Sequence, residues 1–166
     1  MSEKSNLIDH QIELLKLEMQ FIDNTIGRID NIAQGTKNWS IITWAGSIAI
    51  VIGKPELRPY IFLTGLLPLL FWYIDASWRR IQRRSAYRSN KITDYLNSES
   101  FIKSFDEKKL TDFIIYDPVG RQYSDSDEYK NYISMTRTLK FREVKLFYLS
   151  QFLVSLILEF LFIVIS

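Results

Sequence analysis

One acidic residue lies inside the most apolar part of the sequence. Glu159 is the only charged residue in the run LFYLSQFLVSLILEFLFIVIS, which occupies positions 146–166. An ionisable side chain is costly in the interior of a membrane, and where one occurs it is paired or lies on a path for ions or protons. The sequence leaves two interpretations open. Glu159 either pairs with Arg58 or Lys54, or it is a pore-lining or proton-sensitive carboxylate.

A second acid lies near the end of another apolar segment. Asp75 is the only charged residue between Arg58 and Arg79. Its i,i+4 spacing to Arg79 predicts an ion pair on one face of a helix. Earlier in the same segment, Pro68 removes a backbone amide hydrogen. This predicts either an ordinary helix kink or a bend that reshapes when the protein opens.

The residues that most enzymes use are scarce or scattered in this chain. There is no cysteine and a single histidine, His10, so neither a thiol nucleophile nor a histidine-based metal site can be assembled. The six glycines form no phosphate-binding loop, and the acids of the segment YDPVGRQYSDSDEY lack the spacing of a calcium-binding loop. We therefore predict no catalytic, cofactor-binding or metal-binding residues, and a protein that is not an enzyme.

Charged and apolar residues are segregated along the 166-residue chain. No Asp, Glu, Lys or Arg occurs in residues 38–53, 60–74 or 146–158, while charge is concentrated in residues 1–37 and 79–145. Apolar blocks that alternate with charged blocks are typical of an integral membrane protein.

We predict an all-α membrane protein with four parts. In chain order these are an N-terminal amphipathic cytosolic helix over residues 1–37 that ends near Gly35, a transmembrane hairpin over 38–78, a cytosolic helical region over 79–145 and a C-terminal transmembrane helix over 146–166. Such a chain crosses the membrane three times.

Apolar residues on the predicted N-terminal helix repeat at alternating spacings of four and three. They are Ile8, Ile12, Leu15, Met19, Ile22, Ile26 and Ile29, and we call them the N-terminal seam. This spacing places the residues on one stripe, as in a coiled coil. Such a stripe needs a partner helix. The partner is either a later helix of the same chain or a second copy of the protein in a homo-oligomer.

Small residues recur on the first predicted membrane helix. Ala45, Ala49 and Gly53 lie four residues apart and therefore on one face. In a bilayer, such a small-residue strip allows a second helix to approach closely. We predict that this small-residue strip is a helix-packing surface.

Six basic residues follow the second uncharged run with no acid among them. They are Arg79, Arg80, Arg83, Arg84, Arg88 and Lys91, which we call the basic run. Basic residues flank membrane helices on the cytosolic side, so the basic run predicts a cytosolic N-terminus and a location in the inner (plasma) membrane. It also suits contacts with membrane lipids that carry anionic head groups. We favour lipids over nucleic acid because the basic run directly follows a membrane segment.

The segment LLFWYIDASWRRIQRRSAYR carries the second predicted membrane helix into the basic run. The layout over residues 38–96, a membrane hairpin followed by a helical extension, resembles the SLATT-type two-transmembrane effector proteins of bacterial antiviral systems. A third membrane segment departs from that pattern. The resemblance implies an oligomer that perturbs the inner membrane when a sensor partner signals infection.

Two functions from different classes follow from the sequence. The first is a small oligomeric membrane effector or channel-like module that a protein partner controls through the cytosolic helices. The second is a non-enzymatic membrane anchor, scaffold or sensor subunit that recruits a soluble partner.

Overall fold

A computed structural model describes residues 3–165, and it confirms the all-α fold class, since every regular element in that range is a helix. Two 3₁₀ helices, Pro55–Gly65 and Arg121–Tyr123, accompany six α-helices. The α-helices are α1 (Glu3–Gly53), α2 (Leu66–Leu96), α3 (Glu99–Glu107), α4 (Asp127–Tyr132), α5 (Met135–Leu139) and α6 (Arg142–Ile165). Met1, Ser2 and Ser166, which the sequence places in the first and last predicted segments, lie outside the described residues.

The helices form two compact units. Unit 1 comprises Met1–Ile29 and Ile81–Ile133, and unit 2 comprises Asp30–Arg80 and Ser134–Ser166. The helices α1 and α2 contribute residues to both units.

The first helix is longer than predicted. The sequence predicts a helix end near Gly35, but α1 continues without interruption for 51 residues. The prediction was wrong because a glycine inside a helix costs only about 1 kcal/mol, which neighbouring packing readily offsets. Thr36 also supports the helix, since its hydroxyl donates to the carbonyl oxygen of Ile32 at 2.9 Å.

The N-terminal seam packs inside unit 1. Leu15 and Ile22 form a core cluster with Ile92 of α2, and partly buried side chains complete it, namely Met19, Ile26 and Phe113. Ile8 and Ile29 are also buried. Of the two partners left open by the sequence, later parts of the same chain therefore cover this stripe.

A fully buried ion pair crosses unit 1. The Arg88 Nε and Glu18 Oε1 atoms are 2.8 Å apart, and neither side chain has measurable exposure. The Glu18 carboxylate also accepts from the backbone amides of Tyr116 and Asp117 at 2.8 and 2.9 Å. Burial disfavours the charge on Arg88, but the hydrogen bonds and attraction of Glu18 outweigh it, so the pKa of Arg88 lies above its ordinary value.

The residues of the basic run lie in different environments. Arg88 is buried, so the prediction that it contacts lipid was wrong. The guanidinium of Arg83 stacks on the ring of Tyr132, and its Nε donates to the carbonyl oxygen of the same residue. Lys91 lies 3.6 Å from Glu128. Burial raises the pKa of Tyr87, beside Lys91, above its usual value.

Unit 2 contains a close helix contact at Gly65, where the first 3₁₀ helix ends. The helix α6 packs along this 3₁₀ helix. A Cβ atom placed on Gly65 would lie 2.8 Å from the Phe152 ring atom Cδ2, well inside van der Waals contact. Gly65, rather than the small-residue strip, thus provides the space into which the side chain of Phe152 packs.

Two helical stretches are long and apolar enough to cross a membrane, by length and composition: Pro55–Leu96 and Asp127–Val164. Only 17% of the apolar window in the second is buried within the protein, unlike the core helix of a soluble domain. Three crossings were predicted. The uncharged run at the end of α1, residues 38–53, does not meet the same length and hydropathy criteria. It is short, and polar residues lie among its apolar ones.

The contact at Gly65 predicts a position-specific cost of adding one methyl group. We expect Gly65→Ala to lower the free energy of unfolding by about 1–3 kcal/mol, because the Phe152 ring must move. Thermal unfolding of the full chain in detergent measures this loss. Gly46→Ala is the control, since nothing lies within 4 Å of that site. A loss at Gly65 that Phe152→Leu does not relieve would contradict the explanation.

The buried ion pair predicts that one unpaired charge is worse than none. Arg88→Met leaves the Glu18 carboxylate buried without its cation, and we expect a loss of about 3–5 kcal/mol in the free energy of unfolding. Adding Glu18→Gln removes the stranded charge while keeping an acceptor for the Tyr116 amide, so the double variant should be more stable than the single one. Lys130→Met, at the exposed Asp127 pair, should change little. Denaturant unfolding followed by tyrosine fluorescence compares the variants.

Candidate functional site

The helix α6 carries a polar stripe through its apolar sequence. Tyr148, Gln151, Ser155 and Glu159 follow one another at spacings of three, four and four residues, which places them on one helix face. We call these four residues the polar seam. The first three are buried in unit 2, while Glu159 is partly exposed. The remaining faces of α6 expose mainly leucine, isoleucine, valine and phenylalanine.

Tyr148 begins the polar seam with a contact to a buried acid. Its hydroxyl donates to Asp75 Oδ2 at 3.2 Å, and Asp75 has no measurable exposure. The other oxygen of Asp75 lies 3.7 Å from Arg79 Nε, which confirms the predicted i,i+4 pair. A second carboxylate also contacts Arg79: Asp30 Oδ1 lies 3.0 Å from Arg79 Nη1. The predicted ion pair is thus part of a cluster that also includes Tyr148 and Asp30.

Gln151 joins α6 to α1 in the next turn. The Ser40 hydroxyl donates to Gln151 Oε1 at 3.0 Å, and both side chains are buried. The Gln151 amide in turn lies 3.4 Å from the carbonyl oxygen of Phe147, one turn earlier on its own helix. A buried amide in apolar surroundings is tolerated only when its polar atoms find partners, and here they do.

Ser155 is the junction of the polar seam. Its hydroxyl oxygen accepts from Trp44 Nε1 of α1 at 2.9 Å and lies 3.1 Å from the Thr64 hydroxyl of the 3₁₀ helix. Ser155 also donates to the carbonyl oxygen of Gln151 at 3.3 Å. One small side chain therefore connects three segments of unit 2.

Glu159 ends the polar seam with a backbone contact. Its Oε2 atom accepts from the amide of Phe62 at 3.3 Å. The predicted pairing with Arg58 or Lys54 was wrong, because within residues 3–165 no ion pair joins Glu159 to a base. Arg58 instead donates to the carbonyl oxygen of Ile52 and lies over the Phe162 ring, 5.6 Å from its centre. The alternative, an ion-path or proton-sensitive carboxylate, stays a prediction.

Two further predicted features, Pro68 and the small-residue strip, lie outside the polar seam. Pro68 is the third residue of α2 and lies just after the 3₁₀ helix, within the continuous helical stretch Pro55–Leu96. A kink or a bend that reshapes at Pro68 stays a prediction. The three residues of the small-residue strip, Ala45, Ala49 and Gly53, are exposed on α1. Their role as a contact for another chain stays a prediction.

The sequence reasoning missed three members of the polar seam. It identified Glu159 by its charge but passed over Tyr148, Gln151 and Ser155, because uncharged polar residues do not interrupt an apolar run. The signal that would have found them is their spacing, which repeats a helical face. Ser40 and Trp44 show the same four-residue spacing on α1.

The chemistry of unit 2 is that of hydrogen bonding and proton-accepting groups. Among the described residues, no cluster of three or more acidic or histidine side chains is placed to hold a metal ion. The polar seam instead aligns hydroxyl, amide and carboxylate groups along α6.

Comparison with known protein families, curated protein sequences and solved structures finds no significant match to this chain. The resemblance to SLATT-type effectors is therefore neither supported nor contradicted by relatives.

The junction at Ser155 predicts a local loss of stability. Ser155→Ala removes the acceptor of Trp44 and a partner of Thr64, and we expect the free energy of unfolding in detergent or lipid to fall by about 1–2 kcal/mol. Ser150→Ala is the matched control, since Ser150 is exposed on the same helix and bonds only to its own Phe147 carbonyl. Equal effects of the two variants would show that the contacts of Ser155 contribute no more than those of a surface serine.

Proposed function

We propose that this protein is a small membrane effector whose unit 2 lies in the bilayer and opens a path for ions when unit 1 is engaged by a partner. The observation that carries the proposal is the polar seam, a line of polar side chains on one face of α6, each of which hydrogen-bonds to another segment of an otherwise apolar unit. Intramembrane polar and ionisable groups are costly, and they commonly line transport pathways.

The surface of α6 supports insertion into lipid. Phe160 and Ile163 are 66% and 67% exposed, and Leu153 and Ile157 are more than half exposed. In water, so large an apolar surface would promote aggregation. In hydrocarbon it costs nothing, and the same surface would anchor the helix.

Opening would proceed by exchange of hydrogen-bond partners in the polar seam. Hydrogen bonds between membrane helices contribute about 0.6–2 kcal/mol each, so the few bonds of Gln151 and Ser155 hold the bundle closed by only a few kcal/mol. A difference of that size is within the range that binding of a partner shifts. The helices α1 and α2 contribute to both units, which offers a route by which engagement of unit 1 reaches unit 2.

The partners and location follow from the earlier predictions. We propose a homo-oligomer in the inner membrane with a cytosolic N-terminus, in which the small-residue strip contacts another copy. Arg79 and Arg80 remain the members of the basic run in unit 2 and are proposed to lie near anionic lipid head groups. A role in antiviral defence rests on the resemblance to SLATT-type effectors alone.

A second candidate is a membrane anchor or sensor subunit that recruits a soluble partner. The observation that favours it is the set of large apolar side chains exposed on unit 1. These are Leu7, Leu17, Phe21, Ile81, Leu96, Ile102, Phe105, Ile114, Tyr116 and Val119. Under this alternative Phe21→Asp would abolish recruitment, while changes in the polar seam would be silent.

The effector proposal predicts loss of membrane potential. Because only a few kcal/mol hold the bundle closed, overexpression should leave enough copies open to depolarise the host membrane and slow growth, as reported by a potential-sensitive dye. Replacing the buried pair with Ser40→Val and Gln151→Leu should reduce depolarisation several-fold, because an apolar seam keeps water and ions out. Ser150→Ala should behave as wild type. A wild-type protein that passes no ion in cells or in liposomes, alone or with a bound partner, would exclude the effector function.

A further inference from the structure

We propose that the ion carried through unit 2 is the proton, taken up and released by Glu159 and Asp75 at the two ends of the polar seam. This inference rests on the proposed function and specifies its substrate.

The carboxylate of Asp75 is buried and is positioned to accept a proton. One carboxylate oxygen accepts from the Tyr148 hydroxyl, while the other is buried and accepts no hydrogen bond from the described residues. The charged groups that face Asp75 are Arg79 at 3.7 Å and, at longer range, Lys37. Arg79 is bound in turn by Asp30, whose side chain is 51% exposed. Arg79 is itself 22% exposed, so Asp75 lies one contact from water.

Glu159 is the corresponding group at the other end of the polar seam. It lies eleven residues after Tyr148 on α6, which corresponds to about 16 Å along the helix axis. Its partial exposure gives the carboxylate contact with the surroundings, and the Phe62 amide holds it in place. Two carboxylates thus flank a buried polar segment, an arrangement found in proton relays.

The groups between the carboxylates can pass a proton on. The hydroxyls of Tyr148, Ser155 and Thr64 each donate and accept hydrogen bonds. Successive members of the polar seam are one helical turn apart, about 5–6 Å between side-chain origins, and a single water molecule bridges such a gap. Midway, the Ser40 hydroxyl passes the proton on to water, while the Gln151 amide orients that hydroxyl and does not itself transfer a proton.

The transfer leaves the protein unchanged. A proton binds a Glu159 oxygen, and each hydroxyl or water accepts one proton as it donates another. Asp75 receives the last proton and releases it from Oδ1 to a water molecule that enters beside Arg79, whose side chain is 22% exposed; Arg79 keeps its own protons throughout. One proton crosses, no covalent bond other than O–H bonds forms or breaks, and each side chain returns to its starting state.

The few ligands along the polar seam favour protons over metal cations. A hard cation exchanges its water shell for six or more oxygen ligands. The polar seam offers at most a few oxygens at each level. A proton needs only hydroxyl groups and water molecules that hydrogen-bond in sequence.

Liposomes that contain the full-length protein test the inference. The interior carries a pH-sensitive dye, and a potassium gradient with valinomycin drives proton uptake. Only a few kcal/mol hold the bundle closed, so a fraction of the copies is open even without the partner. We therefore expect the wild-type protein to raise proton uptake at least tenfold over empty liposomes. Glu159→Gln and Asp75→Asn should each lower that rate tenfold or more, whereas Glu143→Gln, an exposed acid outside the polar seam, should leave it unchanged.

The outcomes separate this inference from the effector proposal. Potassium flux as fast as proton flux in the wild-type protein, measured with a protonophore in place of valinomycin, would overturn proton selectivity while leaving the effector function intact. Unchanged proton uptake in both carboxylate variants would overturn the assigned path. Absence of all ion flux would overturn both proposals. If Asp75→Asn fails to fold by thermal unfolding, Glu159→Gln decides, with Glu159→Asp expected to retain part of the rate.

Discussion

The structure of unit 2 depends on the need of buried polar groups for partners. Apolar surroundings offer none, so each hydroxyl, amide and carboxylate on the buried face of α6 must bond to another segment of the chain or to its own helix. The pairs Ser40–Gln151, Trp44–Ser155 and Tyr148–Asp75 meet this need. They also fix the register of the helices, because a shift by one turn would leave the donors and acceptors unmatched. Apolar packing alone would allow many such registers.

The buried polar groups of unit 1 also need partners, and there the paired groups are charged. The core of unit 1 holds Glu18 and Arg88 together with tyrosines whose rings meet edge to face, including Tyr87 and Tyr129 at 5.1 Å between ring centres. Glu18 also fixes the backbone at Tyr116, where φ is +65°. A left-handed conformation is unfavourable for tyrosine, and the carboxylate that binds its amide helps to maintain it. The ion pair thus orders a segment that has no regular secondary structure of its own.

The periodicity of the apolar residues made the helices predictable. The contact partners of individual polar side chains could not be predicted in the same way. The N-terminal seam and the apolar run of α6 follow from spacing and composition, which are local properties. The pairing of Asp75 with Arg79 is also local and was predicted. The partner of Glu159 was not, because the Phe62 amide lies far away in sequence and carries no distinguishing residue type. The burial of Arg88 was missed for the same reason, since its partner Glu18 is separated from it by most of two helices.

The 3₁₀ helix Pro55–Gly65 affects how far the chain reaches. Eleven residues are long for this conformation, and each rises about 2.0 Å instead of the 1.5 Å of an α-helix. The segment is therefore about 5 Å longer than the same residues in α-helical form. Conversion to the α-helical form would shorten the segment and draw Phe62 and Thr64 away from Glu159 and Ser155. The contacts with α6 therefore hold these eleven residues in their extended form, and loss of the contacts would allow the segment to contract.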